Sequence, residues 1–387
     1  MKINRRLLLK SGLLSLTGIH GWSLSSGSSL PPMLDAAGRI YHSPLLREYF
    51  PDHLPDRRPL IQIGYNENPY GPSPATCEAI RKAVTDRAGN RYAGPELNEL
   101  TGLIAQKEGV DKDFILIGPG LSDLLDRTAL GFCAGQGNVV SADPTFMSLI
   151  QVARLGGAEW KPVPCKEDGN VDLAGVYKAI DSQTRLVYLC NPGNPIGTII
   201  SPDKLRDFCT EVSRKVPVFI DEAYLEFAGG ATTSMVPLIK EGKNIIVGRT
   251  FSKVLGMAGL RTGYLIGQPA TLRKIAHGGI GISVTTIRGG IAAMRDTDFQ
   301  IMTLRKNVEV KGYLCKELDA MGMEYPASYT NFVLFPIRMP GKEFVNRMSE
   351  KGIFIRAFDI QNRPWCRVSM GTMDEIRQFV TVLKTLV

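Results

Sequence analysis

Short, continuous apolar runs recur through the middle of the chain, at 115–117, 138–141, 186–190, 216–220 and 245–247, each bounded by glycine, proline or small polar residues. Runs this short, without apolar–polar alternation, predict strands buried on both faces, as in a parallel sheet covered by helices. Between them, 121–133, 145–155 and 202–214 carry apolar residues at helical spacing. Alternating strands and helices predict an α/β fold. Beyond about residue 295 the pattern changes to a long helix over 299–321, strands at 331–335, 353–356 and 366–369, and a last helix opened by the capping box Thr372-x-x-Glu375. That order predicts a second, smaller α+β domain.

The first thirty residues are built differently. Lys2, Arg5, Arg6 and Lys10 precede a weakly apolar stretch, 11–24, and then Ser25-Ser26-Gly27-Ser28-Ser29. Basic, apolar, then small and polar is the order of an export signal. Gly12, Gly18, His20 and Gly21 interrupt the apolar part, so it is too short to serve as a stable membrane anchor. Asn4-Arg5-Arg6-Leu7-Leu8-Leu9-Lys10 resembles the twin-arginine export motif, with leucine where phenylalanine is common. Residues 1–34 therefore read as a signal-like leader. A functional leader predicts a periplasmic or exported protein; otherwise the expectation is cytoplasmic.

Composition narrows the chemistry. With 44% hydrophobic and 22% charged residues, the 387-residue chain has the apolar material to fold. Its formal charge of +8 falls to +4 once the four leader charges are removed. The remainder forms no basic run with interleaved aromatics, which argues against nucleic-acid binding. Seven cysteines without a C-x-x-C pair indicate neither a disulfide framework nor a zinc site. Outside the leader the histidines are His42, His53 and His277, without metal-ligand spacing. No metal site is expected, nor a Ser-His-Asp triad.

In an open α/β sheet, ligands bind where strands end. After 115–117 comes Gly118-Pro119-Gly120-Leu121-Ser122, a glycine turn opening a helix whose free amides suit a phosphate. After 186–190 comes Asn191-Pro192-Gly193-Asn194-Pro195-Ile196-Gly197, which fixes a carboxamide between prolines. Asp221 leaves an apolar strand, followed by Glu222-Ala223-Tyr224. Arg249-Thr250-Phe251-Ser252-Lys253 follows 245–247, with Gly259-Leu260-Arg261 just beyond. A lysine beside hydroxyls and an arginine, one strand from a buried carboxylate, is what pyridoxal phosphate needs: the lysine forms the Schiff base, and the carboxylate keeps the pyridine nitrogen protonated.

These motifs, in this order, resemble the class I/II aminotransferases of fold type I. The spacings of 27 residues from Asn194 to Asp221 and 32 from Asp221 to Lys253 fit that family. Asn66-Glu67-Asn68-Pro69-Tyr70-Gly71-Pro72 and Asn90-Arg91-Tyr92 resemble its histidinol-phosphate aminotransferase branch. The likeness covers roughly residues 60–387. It implies a large domain with a mixed, mostly parallel seven-stranded sheet over 70–290, a small C-terminal domain over 291–387, and an N-terminal arm, 35–69, joining the small domain.

The resemblance also implies roles. Lys253 would bind the cofactor covalently and then move a proton at the substrate α-carbon, and Asp221 would pair with the ring nitrogen. Asn194 and Tyr224 would hydrogen-bond the ring's phenolic oxygen, and Phe146 would stack on the ring face. Leu121, Ser122, Thr250, Ser252 and Arg261 would hold the phosphate. Tyr92 would reach the partner's cofactor, making a homodimer with shared active sites. Arg367 would grip a substrate carboxylate, with Arg356, Tyr70 and Asn68 as further substrate contacts. The implied reaction moves an amino group from an amino acid or amino phosphate to a 2-oxo acid. Ile196 in place of the usual threonine and Ala93 in place of proline depart from the branch and bear on substrate identity. Two rivals share the cofactor motifs: a decarboxylase of the threonine-phosphate type, and a non-enzymatic cofactor-binding sensor.

Overall fold

Each of the five apolar runs forms a strand, with ends shifted by one to three residues from the sequence reading. The computed structural model describes residues 40–53, 60–135, 137–276 and 281–386. The leader and residues 277–280, His277 among them, lie outside the described residues. In chain order the strands are β1 (Ile40–Ser43), β2 (Leu46–Tyr49), β3 (Ile61–Gln62), β4 (Ile115–Gly118), β5 (Asn138–Asp143), β6 (Glu159–Pro164) and β7 (Thr184–Cys190). They continue as β8 (Val218–Asp221), β9 (Ile245–Thr250), β10 (Gly263–Gly267), β11 (Phe332–Pro336), β12 (Ile353–Phe354), β13 (Arg356–Ile360) and β14 (Arg363–Ser369).

The protein is α/β, with a mixed, mostly parallel seven-stranded sheet in the order β4-β10-β9-β8-β7-β5-β6. Strand β10 is the antiparallel member, pairing with both β4 and β9. Side chains alternate across this sheet. Val140, Val187, Leu189, Ile220 and Val247 pack on one face; Val139, Leu186, Tyr188, Phe219 and Ile246 pack on the other. Helices cover both faces, so strands without polar alternation are satisfied.

A second, antiparallel sheet has the order β1-β2-β13-β14-β11. Its core includes Val333, Phe335, Phe344, Ile355, Val368 and Phe379. The helices Thr297–Ala320, Gly341–Glu350 and Met373–Leu383 supply side chains to it. The last of these starts with both halves of the Thr372–Glu375 capping box formed. The predicted helix at 145–155 begins only at Ser148. The chain over 144–147 instead carries Phe146 from the end of β5 toward the cavity described next. The predicted strand at 353–356 is two strands, β12 and β13, with β12 pairing to β3.

Candidate active site

One cavity of about 380 Å³ opens where the parallel strands end. Strands β4, β5, β7, β8 and β9 all deliver their C-terminal residues to that edge. Because β10 runs the other way, its start lies there too, and Arg261 arrives just before it. The cavity is lined by Leu121, Ser122, Phe146, Asn194, Asp221 and Tyr224. Thr250, Ser252, Lys253, Arg261, Arg356 and Arg367 complete the lining among the expected residues.

Asp221 ends β8 and is 2% exposed. Its Oδ1 accepts the Ala223 N–H at 3.1 Å, and its Oδ2 accepts the Tyr188 hydroxyl at 3.1 Å. Burial pushes its pKa up to about 6, against the pull of those two donors and of Lys253. Tyr188 was not read from the sequence as a site residue. It lies on β7 opposite Phe219, two residues before Asp221 on the same sheet face, so its hydroxyl reaches the carboxylate diagonally.

Lys253 follows β9. Its Nζ donates to the carbonyl oxygens of Asn66 at 2.8 Å and Tyr65 at 3.3 Å. Burial, with the like charge of Arg367, lowers its pKa to about 7, so the amine is largely poised between its charged and nucleophilic forms at neutral pH. Asn66, a second residue given no role from sequence, also donates through Nδ2 to the Tyr224 hydroxyl at 2.9 Å. Its own Oδ1 accepts the Ser369 hydroxyl at 2.9 Å. The Asn66 backbone is left-handed, φ 56°, which asparagine tolerates better than most residues. Tyr224 is fixed further by an edge-on contact with Phe332.

The phosphate-sized corner is built from backbone. Gly120, φ 94°, precedes the helix Leu121–Cys133. A Cβ placed on it would lie 2.3 Å from a guanidinium nitrogen of Arg261. A Cβ on Gly263 would lie 2.5 Å from the Leu121 amide nitrogen. Arg261 donates to the Ala258 carbonyl at 3.0 Å, and the hydroxyls of Thr250 and Ser252 are 3.0 Å apart. Helix amides, two hydroxyls and a guanidinium converge as a phosphate requires.

Arg367, 3% exposed, donates to Asn194 Oδ1 at 2.6 Å and to the Gly64 carbonyl at 3.0 Å. Burial lowers its pKa to about 10, still well above neutrality. Three expected residues fall elsewhere within this protomer. Asn68 spends its amide on the Val254 carbonyl and the Thr303 hydroxyl, and its Oδ1 accepts the Tyr70 N–H. It is a turn-fixing residue outside the cavity lining, and Tyr70 shares a small neighbouring pocket with it. Tyr92 is fully exposed.

The residues present fit pyridoxal phosphate. A buried carboxylate faces the cavity beside a half-neutral lysine, and the glycine-arginine cradle has room where a side chain would clash. Fold and site define a pyridoxal-phosphate-dependent enzyme. The chain belongs to the class I and II aminotransferases, whose family profile matches residues 58–383. It is an aminotransferase and takes pyridoxal 5'-phosphate as cofactor. It is 34% identical to a histidinol-phosphate aminotransferase of Limosilactobacillus fermentum over 85% of this chain and 90% of that protein. It is also 34% identical to one of Halalkalibacterium halodurans, over 82% and 86%. Among solved structures, the histidinol-phosphate aminotransferase of Sinorhizobium meliloti in complex with pyridoxal-5'-phosphate superposes with a TM-score of 0.77 at 29% identity, over 84% of this chain and 92% of that one. An L-threonine-O-3-phosphate decarboxylase of Porphyromonas gingivalis shares the fold at 20% identity, which supports no more than the fold.

Proposed function

We propose that the cavity at the sheet edge is where an amino group moves from an amino acid or amino phosphate to a 2-oxo acid, in two half-reactions. The observation that carries this is the pairing of Lys253 and Asp221 across one cavity, with the Gly120–Arg261 cradle at its end. When bound, pyridoxal phosphate supplies an aldehyde that captures amines and a ring that takes up the electron pair released at the α-carbon. Lys253 Nζ would anchor the cofactor covalently and, when free, would take a proton from the donor's α-carbon and return one. Asp221 would hold the ring nitrogen's proton, and Tyr188 and the Ala223 N–H orient that carboxylate. Asn194 and Tyr224 would donate to the ring oxygen, and Phe146 would pack against the ring. The amides of Leu121 and Ser122, the hydroxyls of Thr250 and Ser252, and Arg261 would hold the phosphate. Arg367 holds the substrate carboxylate by its planar fork.

The test is a half-reaction screen of the purified holoenzyme, following the cofactor's absorbance against single amines without an acceptor. An aminotransferase converts its donor stoichiometrically and leaves the aminated cofactor. Release of carbon dioxide with the cofactor regenerated would support the decarboxylase instead.

The proposal extends to assembly and address. The active unit is a homodimer in which Tyr92 serves the partner's site, with the arm 35–69 joining the small domain 291–387 and the domain 70–290 binding the cofactor. The leader sends the folded protein through the twin-arginine route to the periplasm. The order of its charges and apolar residues supports this, and cell fractionation of an Arg5→Lys/Arg6→Lys variant tests it. Retention of the variant inside the cell is expected; unchanged export would contradict the reading.

A further inference from the structure

Arg356 begins β13 and lines the cavity, where it is available to the distal end of a substrate. Its charge is already claimed. The N-terminal hairpin β1–β2 adds to the second sheet by pairing β2 with β13, with Glu48 opposite Phe358. This register brings the Glu48 carboxylate onto the Arg356 guanidinium as an ion pair. Glu48 is 4% exposed, so water screens the pair little. Its other oxygen meets His42 Nε2 at 3.2 Å, and His42 Nδ1 lies 3.2 Å from the Gln151 amide. Strand pairing on one side and this contact on the other hold Glu48 in place.

Among the described residues, the cavity's other cations are Arg367, Lys253 and Arg261, which the reading above assigns to the substrate carboxylate and the cofactor. Burial holds the His42 pKa near 4, so its ring is neutral at pH 7. Ser43, on the same hairpin, donates at 3.0 Å to Asp143, a further acidic group. The Arg356 guanidinium is otherwise stacked among rings, 4.8 Å from the centroid of Phe50, 5.6 Å from Tyr65 and 5.8 Å from Phe358. Glu67 lines the same cavity with a second carboxylate. A phosphate dianion at this end would meet a neutralised arginine backed by a buried carboxylate, and like charges in a low-dielectric wall repel strongly. An uncharged side chain would meet the Tyr65 ring and the stacked guanidinium, both of which line the cavity.

We infer that Glu48 is a specificity-determining residue that sets the distal end of the substrate pocket against phosphate, so that the amino donor is an α-amino acid with an uncharged side chain rather than an amino phosphate. This rests on the aminotransferase reading above and narrows it. It separates this chain from the substrate in its relatives' names by one carboxylate delivered from a hairpin.

The experiment uses the holoenzyme and two probes, L-phenylalanine and histidinol phosphate. Dissociation constants come from calorimetric titration of the borohydride-reduced holoenzyme, which cannot turn over, and kcat/KM from the half-reaction of the active one. The wild type is expected to favour L-phenylalanine. Glu48→Gln is expected to move the ratio of dissociation constants at least tenfold toward histidinol phosphate, and Glu48→Asp to keep the wild-type ratio, which guards against a folding defect in a single variant. A wild type that favours histidinol phosphate, or a Glu48→Gln ratio that stays put or moves the other way, overturns the inference. The binding arm judges Glu48 independently of turnover. Loss of turnover with every amine would count against the aminotransferase reading instead.

Discussion

Burial drives Lys253 and Asp221 toward their neutral forms from opposite directions, one down to about 7 and the other up to about 6. A cationic ring nitrogen beside Asp221 would favour the carboxylate's charged form, and the carboxylate would keep that nitrogen protonated in return. Asp221→Asn removes this exchange but leaves the phosphate cradle. The variant should retain cofactor and lose activity by about a hundredfold or more, as when a preorganised charge partner is removed; steady-state kinetics check it, and activity within threefold of wild type would contradict the role. The sign for Lys253 follows from its depressed pKa. Below about 7 the amine is protonated and cannot attack an aldehyde; above it the amine is free. Capture of added pyridoxal phosphate by the apoenzyme should therefore rise about tenfold per pH unit up to about 7, then level, as read by stopped-flow absorbance. A rise that continues unchanged to pH 10 would mean an ordinary exposed lysine.

At the scale of the elements, the cofactor corner depends on one backbone conformation. Gly120 has φ 94° and sits under Arg261 at the start of a helix. Gly120→Ala forces either the backbone or the guanidinium to move, so pyridoxal phosphate should bind at least tenfold more weakly, measured by equilibrium dialysis, while the far-UV spectrum stays unchanged. Much of this site was legible because Asn194, Asp221 and Lys253 each follow an apolar run that could be read as a buried strand. Strand β10 was not legible, since Gly263–Gly267 is short and glycine-bounded and looks like the tail of a loop. Its antiparallel entry is what brings Arg261 to the cradle. Asn68 and Tyr70 belong to a recognisable motif, but the motif does not reveal that Asn68 spends its polar atoms on Val254, Thr303 and the Tyr70 backbone. Tyr188 looked like any buried strand residue, because its link to Asp221 spans two strands. The hairpin β1–β2 is equally hidden, with four-residue strands whose partner lies about three hundred residues away.

At the scale of the whole molecule, Tyr92 is the residue that one protomer leaves unexplained. It stands fully exposed between the turn Ala88–Asn90 and the helix Gly94–Glu108, where a large aromatic side chain gains nothing from water. The proposed homodimer with shared sites would give it the partner's phosphate cradle as a target. Tyr92→Phe and Lys253→Ala chains, each impaired alone, should form mixed dimers with one intact site and one doubly damaged site. Unfolding and refolding the mixture should then recover activity above that of either parent. A mixture no better than Tyr92→Phe alone, or a fully active monomer by sedimentation, would contradict the shared site.

The most direct test of the central claim is borohydride reduction of the holoenzyme followed by peptide mapping. One reduced pyridoxyl adduct per chain is expected, on Lys253, and none in Lys253→Ala, which should still hold the cofactor non-covalently through the cradle. An adduct on any other lysine of the wild-type chain would contradict it.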